Sequence, residues 1–328
     1  MMEKEKTMIA VIGCVKETVS VKLLPPKEDE RQREGFGGYG YPGPYGMAPP
    51  QEMPQEEPEE EDDEITVKGS GCGYNIAVNL AAWGYDTEFI SAIGNDTMGS
   101  AARAGLDKAG VGREGLAVFE DSTAVDVELV NIFGDVSMAK KNRHVIKNIT
   151  PEFIRDRAKI LEKAEAIVVD GTIPGETIDY VLKTYGGRSG VKLFFDPASS
   201  RGGRKVKDSL EGFYCVMPGR MEAESMSGKT VLSEEQLSEA GAFFGKSGVE
   251  RIVITIKGGG LYYREGDREG ILRPERLITL GSTSGAGDVV SAAVVAGAVD
   301  GKTIEEIAAD AMEKAALYLA DVGVKAVE

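Results

Sequence analysis

The chain contains very little histidine, cysteine and tryptophan. Its 328 residues include one histidine, His144, three cysteines and one tryptophan. Cys14, Cys72 and Cys215 lie far apart and no Cys-x-x-Cys pair occurs, so the sequence predicts neither a zinc site nor a disulfide framework. This cysteine usage is typical of a reducing compartment, and a cytoplasmic location is expected.

Positive charge and long apolar segments are also scarce. The 38 Lys and Arg residues are outnumbered by 54 Asp and Glu residues, which leaves a net charge of −16. Because such a surface repels polyanions, we expect no binding to nucleic acid or to an anionic membrane. No apolar run approaches the length of a bilayer span, and the first six residues, Met-Met-Glu-Lys-Glu-Lys, lack the apolar core of a signal peptide.

Much of the acidity lies in one segment near the N-terminus. Residues 24–64 carry 13 acidic and three basic side chains, so the rest of the chain has a net charge of only about −6. The segment is rich in glycine, proline and glutamate, and it shows neither periodicity nor apolar mass. We therefore expect residues 24–63 to form a disordered insertion.

The remaining sequence alternates apolar strands with amphipathic helices. Predicted strands include residues 8–13, 65–68, 88–93, 124–130, 166–170, 192–196, 251–255 and 272–280, and predicted helices include 74–83, 98–109, 151–163, 176–185 and 234–246. This order predicts one α/β domain over residues 1–328, with a mostly parallel central sheet that has helices on both faces. Ligands of such sheets bind at the carboxyl ends of the strands, here after Asp170, Asp196, Met217 and Thr255.

Small residues near the C-terminus predict a phosphate site. The segment Gly-Ser-Thr-Ser-Gly-Ala-Gly-Asp, residues 281–288, runs into an apolar stretch of helix length. Gly285, Ala286 and Gly287 are thereby predicted at a helix N-terminus, where free N–H groups and the helix dipole favour an anion. Asp288 falls in the first turn, where a carboxylate could take a proton from an attacking hydroxyl. On spacing alone, a loop with an ordinary capping aspartate is the alternative.

Two commoner nucleotide-binding motifs are not matched. Gly-Ala-Phe-Phe-Gly-Lys-Ser, residues 241–247, has three residues between its glycines where a P-loop has four, and it lies at the end of a predicted helix. Gly-Ser-Gly-Cys-Gly, residues 69–73, is followed by Tyr74 where the dinucleotide motif requires its third glycine. A P-loop enzyme and a Rossmann dehydrogenase are both disfavoured.

Residues 282–288 resemble the signature Asp-Thr-x-Gly-Ala-Gly-Asp of the ribokinase-like (PfkB) carbohydrate and nucleoside kinases. A second family motif, a glycine pair followed by asparagine, resembles Ser-Gly-Cys-Gly-Tyr-Asn-Ile-Ala over residues 70–77. The resemblance implies a ribokinase-like fold with a small β lid, formed by residues 14–23 and 64–70, from which the insertion extends. Lid strands in this family often pair, which implies a possible homodimer.

The resemblance also implies an activity, the ATP-dependent phosphorylation of a hydroxyl of a small-molecule sugar or nucleoside, with ATP and Mg²⁺ as cofactors. Asp288 would be the base, and Gly285, Ala286 and Gly287 would form the anion hole. Glu222 would act through water on magnesium and phosphate. The residues implied to contact ATP are Glu222, Thr255, Gly258, Gly260 and Thr283, and those implied to contact the acceptor are Thr18, Gly71, Gly73 and Asn75. Lys257 stands where the family usually has glycine; it could reach the ATP phosphates, and a solvated loop lysine is the alternative.

The chain departs from the family pattern chiefly on the acceptor side. Lys16 and Thr18 stand where the family has Asn and Asp for sugar hydroxyls, and Gly219 replaces the Asn of the Asn-x-x-Glu motif. Within the family, several runs, including residues 148–153 and 196–200, look most like pseudouridine kinases. We therefore expect a pseudouridine-like acceptor and poor use of free ribose. The alternative is a non-catalytic nucleotide- or nucleoside-binding protein derived from such kinases.

Overall fold

The computed structural model describes residues 7–22, 64–131, 136–256, 258, 260–274, 278–280, 284–322 and 325–326. The predicted insertion, residues 24–63, lies outside the described residues, as do Lys257 and Thr283. Among the described residues, no helix is both long and apolar enough to cross a membrane.

The described chain alternates strands and helices as the sequence predicts. The strands are β1 (Met8–Ile12), β2 (Lys16–Lys22), β3 (Glu64–Ser70), β4 (Asp86–Gly94), β5 (Leu116–Phe119), β6 (Ala124–Val130), β7 (Val136–Asn142), β8 (Ala166–Asp170), β9 (Lys192–Asp196), β10 (Cys215–Val216), β11 (Arg251–Ile256), β12 (Gly260–Glu265), β13 (Arg268–Leu272), β14 (Ile278–Leu280) and β15 (Lys325–Ala326). The helices are α1 (Cys72–Ala82), α2 (Thr97–Ala109), α3 (Pro151–Arg155), α4 (Ala158–Leu161), α5 (Gly175–Tyr185), α6 (Ser200–Arg204), α7 (Arg220–Ser227), α8 (Glu234–Lys246), α9 (Ala286–Val299) and α10 (Ile304–Asp321), with a 3-10 helix at His144–Asn148.

Nine strands form the central sheet, in the order β13-β12-β11-β10-β9-β8-β1-β4-β5. The strands from β11 to β5 are parallel, and only β12 and β13 run antiparallel. This confirms the predicted mostly parallel sheet. The carboxyl ends of β8, β9, β10 and β11 therefore lie side by side along one edge, where ligands of α/β proteins bind.

Both faces of the central sheet are buried. In β1, Ile9 and Val11 pack into one apolar cluster, while Ala10 and Ile12 pack into another on the opposite face. The first cluster includes α1, α9 and α10, and the second includes α5 and α8. Because successive strand side chains point to opposite faces, continuous apolar strands are what a sheet covered by helices on both sides requires.

A separate four-stranded sheet, the lid sheet, has the order β3-β2-β6-β7. β2 lies within residues 14–23 and β3 covers residues 64–70, the two ranges that the sequence assigns to a lid, and β6 and β7 extend the sheet beyond them. The pairing register places Thr18 beside both Lys68 and Asp126, and Val19 beside both Val67 and Val127. One face of the lid sheet is therefore polar and the other is apolar.

The predicted strand over residues 272–280 is wrong. β13 ends at Leu272, and β14 pairs with β15 in a two-stranded sheet of its own. Pro274 supplies the physical reason, because proline has no N–H for a ladder hydrogen bond and is disfavoured inside a strand. The other predicted helices and strands listed above are present, although the predicted helix over residues 151–163 is divided into α3 and α4.

Candidate active site

The predicted phosphate site lies at the start of α9. Gly285 is the residue before the helix and has φ 89°, a left-handed conformation that favours glycine. A β-carbon there would also approach Tyr318 Oη to 2.5 Å, whereas a β-carbon on Gly287 would meet no heavy atom within 4 Å. Ala286 and Gly287 open the first turn, whose N–H groups have no partner within a helix. The space next to Gly287 is thus open to a ligand, as an anion hole requires.

Asp288 lies in the same turn and is held by a residue from α1. Asn75 Nδ2 donates to Asp288 Oδ2 at 2.6 Å. Burial, together with the nearby carboxylate of Asp196, raises the pKa of Asp288 to about 7, although the hydrogen bond from Asn75 opposes the shift. A carboxylate with a raised pKa is a stronger proton acceptor than an ordinary aspartate, so Asp288 is suited to act as a general base near neutral pH.

Two further polar side chains surround Asp288. Cys72 Sγ and one carboxylate oxygen each of Asp196 and Asp288 all lie within 4.8 Å of one another. Burial, followed by the neighbouring carboxylates, raises the pKa of the Cys72 thiol well above its usual range, so this thiol stays neutral. Asp196 ends β9 and accepts a hydrogen bond from Ser291 Oγ at 2.5 Å. The sequence pointed to the strand end at Asp196, but it did not pair this residue with Asp288.

Asp196 and Asp288 line a cavity of about 200 Å³ that also reaches Glu222, Gly219, Thr255 and Gly287. A β-carbon on Gly219 would approach Glu222 Oε2 to 2.5 Å. Glycine at this position therefore leaves room for the Glu222 carboxylate, which turns into the space that a larger residue would fill. Three carboxylates at one cavity are the kind of hard oxygen ligands that Mg²⁺ prefers.

A larger cavity of about 910 Å³ lies between the polar face of the lid sheet and the start of α9. Thr18, Gly71, Asn75, Gly285 and Asp288 all line it. The structure therefore brings together predicted acceptor residues from the N-terminal part of the chain and the predicted base from the C-terminal part.

Hydrogen bonds and an ion-pair cluster organise the lid side of this cavity. The Thr18 and Ser70 hydroxyl oxygens are 2.6 Å apart. Asp126 on β6 is fully buried, accepts from Arg143 Nε at 3.0 Å and Nη2 at 2.6 Å, and pairs with Lys16. Burial opposes ionisation of Asp126, but the hydrogen bonds from Arg143 and Lys16 prevail and lower its pKa. No sequence pattern indicated Asp126, because the residues of this cluster come from separate strands and a loop.

Two predicted acceptor residues have other roles in the structure. Gly73 is buried and is not among the described residues that line the large cavity. A β-carbon on Gly73 would approach Gly13 Cα to 2.8 Å, so this position needs glycine for packing. The Gly73 N–H donates to Asp170 Oδ2 at 2.9 Å. Asn75 lines the cavity, but its amide is bound to Asp288. A contact of Gly73 with the acceptor stays a prediction, and Asn75 holds the carboxylate of the predicted base.

Two predicted nucleotide residues lie at the turn between β11 and β12. Gly258 has φ 95° and Gly260 begins β12, where it pairs with Ile256. Gly258 needs glycine for its backbone conformation. Neither is among the described residues that line the 200 Å³ cavity, so a role for them in binding ATP stays a prediction.

Comparison with known proteins agrees with this geometry. Over 237 residues the chain is 29% identical to pseudouridine kinase from Escherichia coli, covering 72% of this chain and 75% of that protein. It is 27% identical over 229 residues to the ATP-dependent ribose-1-phosphate kinase of Halopiger xanaduensis, covering 70% of this chain and 72% of that protein. Arabidopsis thaliana ribokinase, solved with ribose and ATP, superposes with a TM-score of 0.70 at 20% identity, covering 94% of this chain and 91% of that one.

The family model for pfkB family carbohydrate kinases matches residues 47–327, which is most of the chain. That range contains the turn before α9, the predicted base Asp288 and the carboxylates around it. The chain belongs to the pfkB family of carbohydrate kinases.

Proposed function

We propose that the protein transfers the γ-phosphoryl group of ATP to a hydroxyl of a ribosyl acceptor. This acceptor carries a second group beyond the sugar, and a pseudouridine-like nucleoside is the first one to test. The observation that carries the proposal is the position of Asp288, which lies in the first turn of α9 and lines both cavities. A group that faces two adjoining cavities can take a proton from an acceptor in one while phosphate is held in the other.

In the proposed reaction, Asp288 removes the proton of the acceptor hydroxyl as its oxygen attacks the γ-phosphorus. A new oxygen–phosphorus bond forms, the bond to the β-phosphate oxygen breaks, and ADP leaves with that electron pair. The hydrogen bond from Asn75 occupies one carboxylate oxygen and holds the other toward the acceptor. The N–H groups at the start of α9 stabilise the charge that develops on the transferred phosphoryl group.

Magnesium fits the carboxylates of the smaller cavity. Glu222, through water, and Asp196 are the residues that would hold it, because both line the space beside Gly287. Glu222 forms no hydrogen bond or ion pair with another described residue, which leaves its carboxylate available. When bound, the ion would offset the negative charge of the ATP phosphates.

The lid side of the cavity supports a preference against free ribose. Thr18 contributes a neutral hydroxyl that is already close to Ser70, and Asp126 is neutralised by Lys16 and Arg143. Hydrogen bonds to an ionised group typically contribute about 1.5–3 kcal/mol, which is more than a neutral pair contributes. Sugar hydroxyls alone are thus held weakly, and a cavity of about 910 Å³ has room for a larger acceptor.

The test is ADP formation with a panel of acceptors that includes pseudouridine, common nucleosides, ribose and fructose phosphate, each with ATP and Mg²⁺. We expect turnover with at least one substituted ribosyl acceptor and a much larger KM for ribose. An absence of turnover with every acceptor, in protein that binds ATP, would favour the non-catalytic alternative. A KM for ribose in the micromolar range would contradict the acceptor preference.

We also infer that two copies pair through the apolar face of the lid sheet. Ile65, Val67, Val127 and Met138 on this sheet are 40–62% exposed, and the register places them on the face opposite Thr18. An exposed apolar face of this kind marks a contact surface. In sedimentation velocity, Val67→Asp should convert the dimer to a monomer. The control Lys68→Asp, on the other face of the sheet, should leave the dimer intact. A monomeric wild type would contradict the inference.

A further inference from the structure

A third cavity adjoins the 910 Å³ cavity, which we call the acceptor cavity. Its walls carry positive charge, whereas the protein as a whole is negatively charged. It has a volume of about 520 Å³ and shares Arg143 and Thr172 with the acceptor cavity. Its cationic residues are Arg143, Lys147, Arg201 and Lys205, and the described lining contains no Asp or Glu. The chain has a net charge of −16, so four basic side chains around one cavity create a local region of positive potential. Such a region attracts an anion.

Two of these cations are fixed by the protein itself. Lys205 Nζ donates to the carbonyl oxygens of residues 171–173 at 2.6–3.2 Å and thereby holds the loop that follows β8. Arg143 is bound to Asp126, but that single carboxylate also pairs with Lys16, so the cluster keeps a net positive charge. These two residues supply positive potential at defined positions on the cavity wall.

The other two cations are available to a ligand. The side chains of Lys147 and Arg201 are both exposed, and neither side chain forms an ion pair or hydrogen bond within the described part of the chain. An unpaired guanidinium can bind the oxygens of a phosphate group in a bidentate manner, and a lysine ammonium adds a point charge. Neighbouring Arg204, by contrast, donates to Ser225 Oγ at 3.1 Å and does not line the cavity.

The junction between the two cavities contains an unsatisfied hydroxyl. Thr172 Oγ1 is the one buried side-chain nitrogen or oxygen without a hydrogen-bond partner among the residues that the structure describes. A buried polar group without a partner costs free energy, and such groups in native proteins call for an explanation. An anionic oxygen placed at the junction would give this hydroxyl an acceptor.

We propose that the cavity lined by Arg143, Lys147 and Arg201 binds a phosphate group carried by the acceptor, so that the enzyme uses a phosphorylated sugar in preference to its neutral counterpart. The inference rests on the proposed function, since the acceptor hydroxyl must still reach Asp288 in the adjoining cavity. It assigns charge to the second group of the ribosyl acceptor and names the residues that select it.

The experiment compares kcat/KM for ribose 1-phosphate, ribose and pseudouridine in the wild type, Arg201→Gln, Lys147→Gln and the control Arg204→Gln. Wild type should prefer ribose 1-phosphate. Arg201→Gln and Lys147→Gln should each lower kcat/KM for ribose 1-phosphate about tenfold or more by raising KM, because a charged hydrogen bond is lost. The kcat/KM values for the neutral acceptors, ribose and pseudouridine, should change by less than about twofold. Arg204→Gln should match wild type.

Calorimetric binding of ribose 1-phosphate without ATP separates this inference from the proposed function. Turnover of neutral acceptors without binding of ribose 1-phosphate, or equal behaviour of the Arg201 and Arg204 variants, would overturn the inference and leave the proposed function intact. If no acceptor is turned over but ribose 1-phosphate binds and Arg201→Gln weakens that binding, the anion site stands and the proposed transfer reaction is wrong.

Discussion

The two sides of the cleft are built in different ways. On the phosphate side, Gly285, Gly287 and Asp288 are neighbours in sequence and lie on one turn of α9. On the lid side, Lys16, Asp126 and Arg143 come from three distant parts of the chain and form a single ion-pair cluster. The first side keeps the family motif almost unchanged, whereas the second has lost the expected acidic residue at position 18.

This difference supports the proposal that the transfer reaction is kept while the acceptor differs from free ribose. Main-chain N–H groups at a helix start bind phosphate of any donor, and few sequences can form that turn. Side chains on separate strands can be exchanged, because a charge lost from one strand can be replaced by a charge on its neighbour. Asp126 is not such a replacement for an acidic residue at position 18, because it is fully buried and its charge is offset by Lys16 and Arg143.

The phosphate side should depend most strongly on Asp288. Asp288→Asn keeps the shape and a hydrogen-bonding partner for Asn75 but cannot accept a proton, so kcat should fall about 100-fold or more. ATP affinity, measured by calorimetry, should stay within about threefold of wild type because the turn itself is unchanged. A variant that keeps more than about a tenth of the wild-type kcat would exclude Asp288 as the base.

The lid side should depend on Asp126. Asp126→Asn leaves Lys16 and Arg143 without their shared counter-ion, so we expect the acceptor KM to rise about tenfold or more while the KM for ATP changes little. Breaking this buried pair should also lower the free energy of unfolding by about 3–5 kcal/mol, measured with denaturant.

Asp107→Asn is the matched control for that change, because Asp107 pairs with Arg113 at an exposed site. It should change the free energy of unfolding by less than about 1 kcal/mol and leave both KM values unaltered. Equal effects of the Asp126 and Asp107 variants on the acceptor KM would show that the lid cluster has no part in acceptor binding.

Gly287→Ala tests whether the start of α9 holds phosphate without affecting the fold. A β-carbon at this position meets no heavy atom within 4 Å, so the free energy of unfolding should stay the same or rise by about 0.5–1 kcal/mol. The added methyl group projects into the space proposed for phosphate, and kcat/KM for ATP should fall about tenfold. The control Gly285→Ala should instead lose stability, because φ is 89° at this position and Tyr318 is close. Wild-type kinetics for Gly287→Ala would contradict the assignment of the phosphate site to the start of α9.

The last prediction concerns stability against pH in the absence of nucleotide. Because the pKa of Asp288 is raised to about 7, its contribution to stability is fully present below the unfolded value of about 3.9 and is lost as the pH rises through about 7. Asp288→Asn should therefore be more stable than wild type at pH 8, and the difference should disappear near pH 4. Thermal unfolding of both proteins over this range measures the effect, and parallel curves would show that the pKa is not raised.

The sequence predicted the features that depend on residues close together in the chain. The alternation of apolar strands with helices specified the sheet and the helices on its two faces, because periodicity is a local property. Thr150 caps α3 and accepts from the Phe153 N–H, and residues 241–247 lie at the end of α8 as predicted. The helix start at Gly285 was predictable for the same reason, whereas anion binding there stays a prediction.

Only the tertiary structure decided which distant residues meet. Asn75 and Asp288 are 213 positions apart, Ser291 and Asp196 are 95 apart, and Gly73 and Asp170 are 97 apart. A glycine or asparagine in a motif has the same appearance in the sequence whether it contacts a substrate, packs against another backbone or holds a catalytic base. Which of these roles a residue has depends on the strand order and register of the sheet. These bring the side chains together at the carboxyl ends of β8 and β9, through contacts that no local sequence pattern encodes.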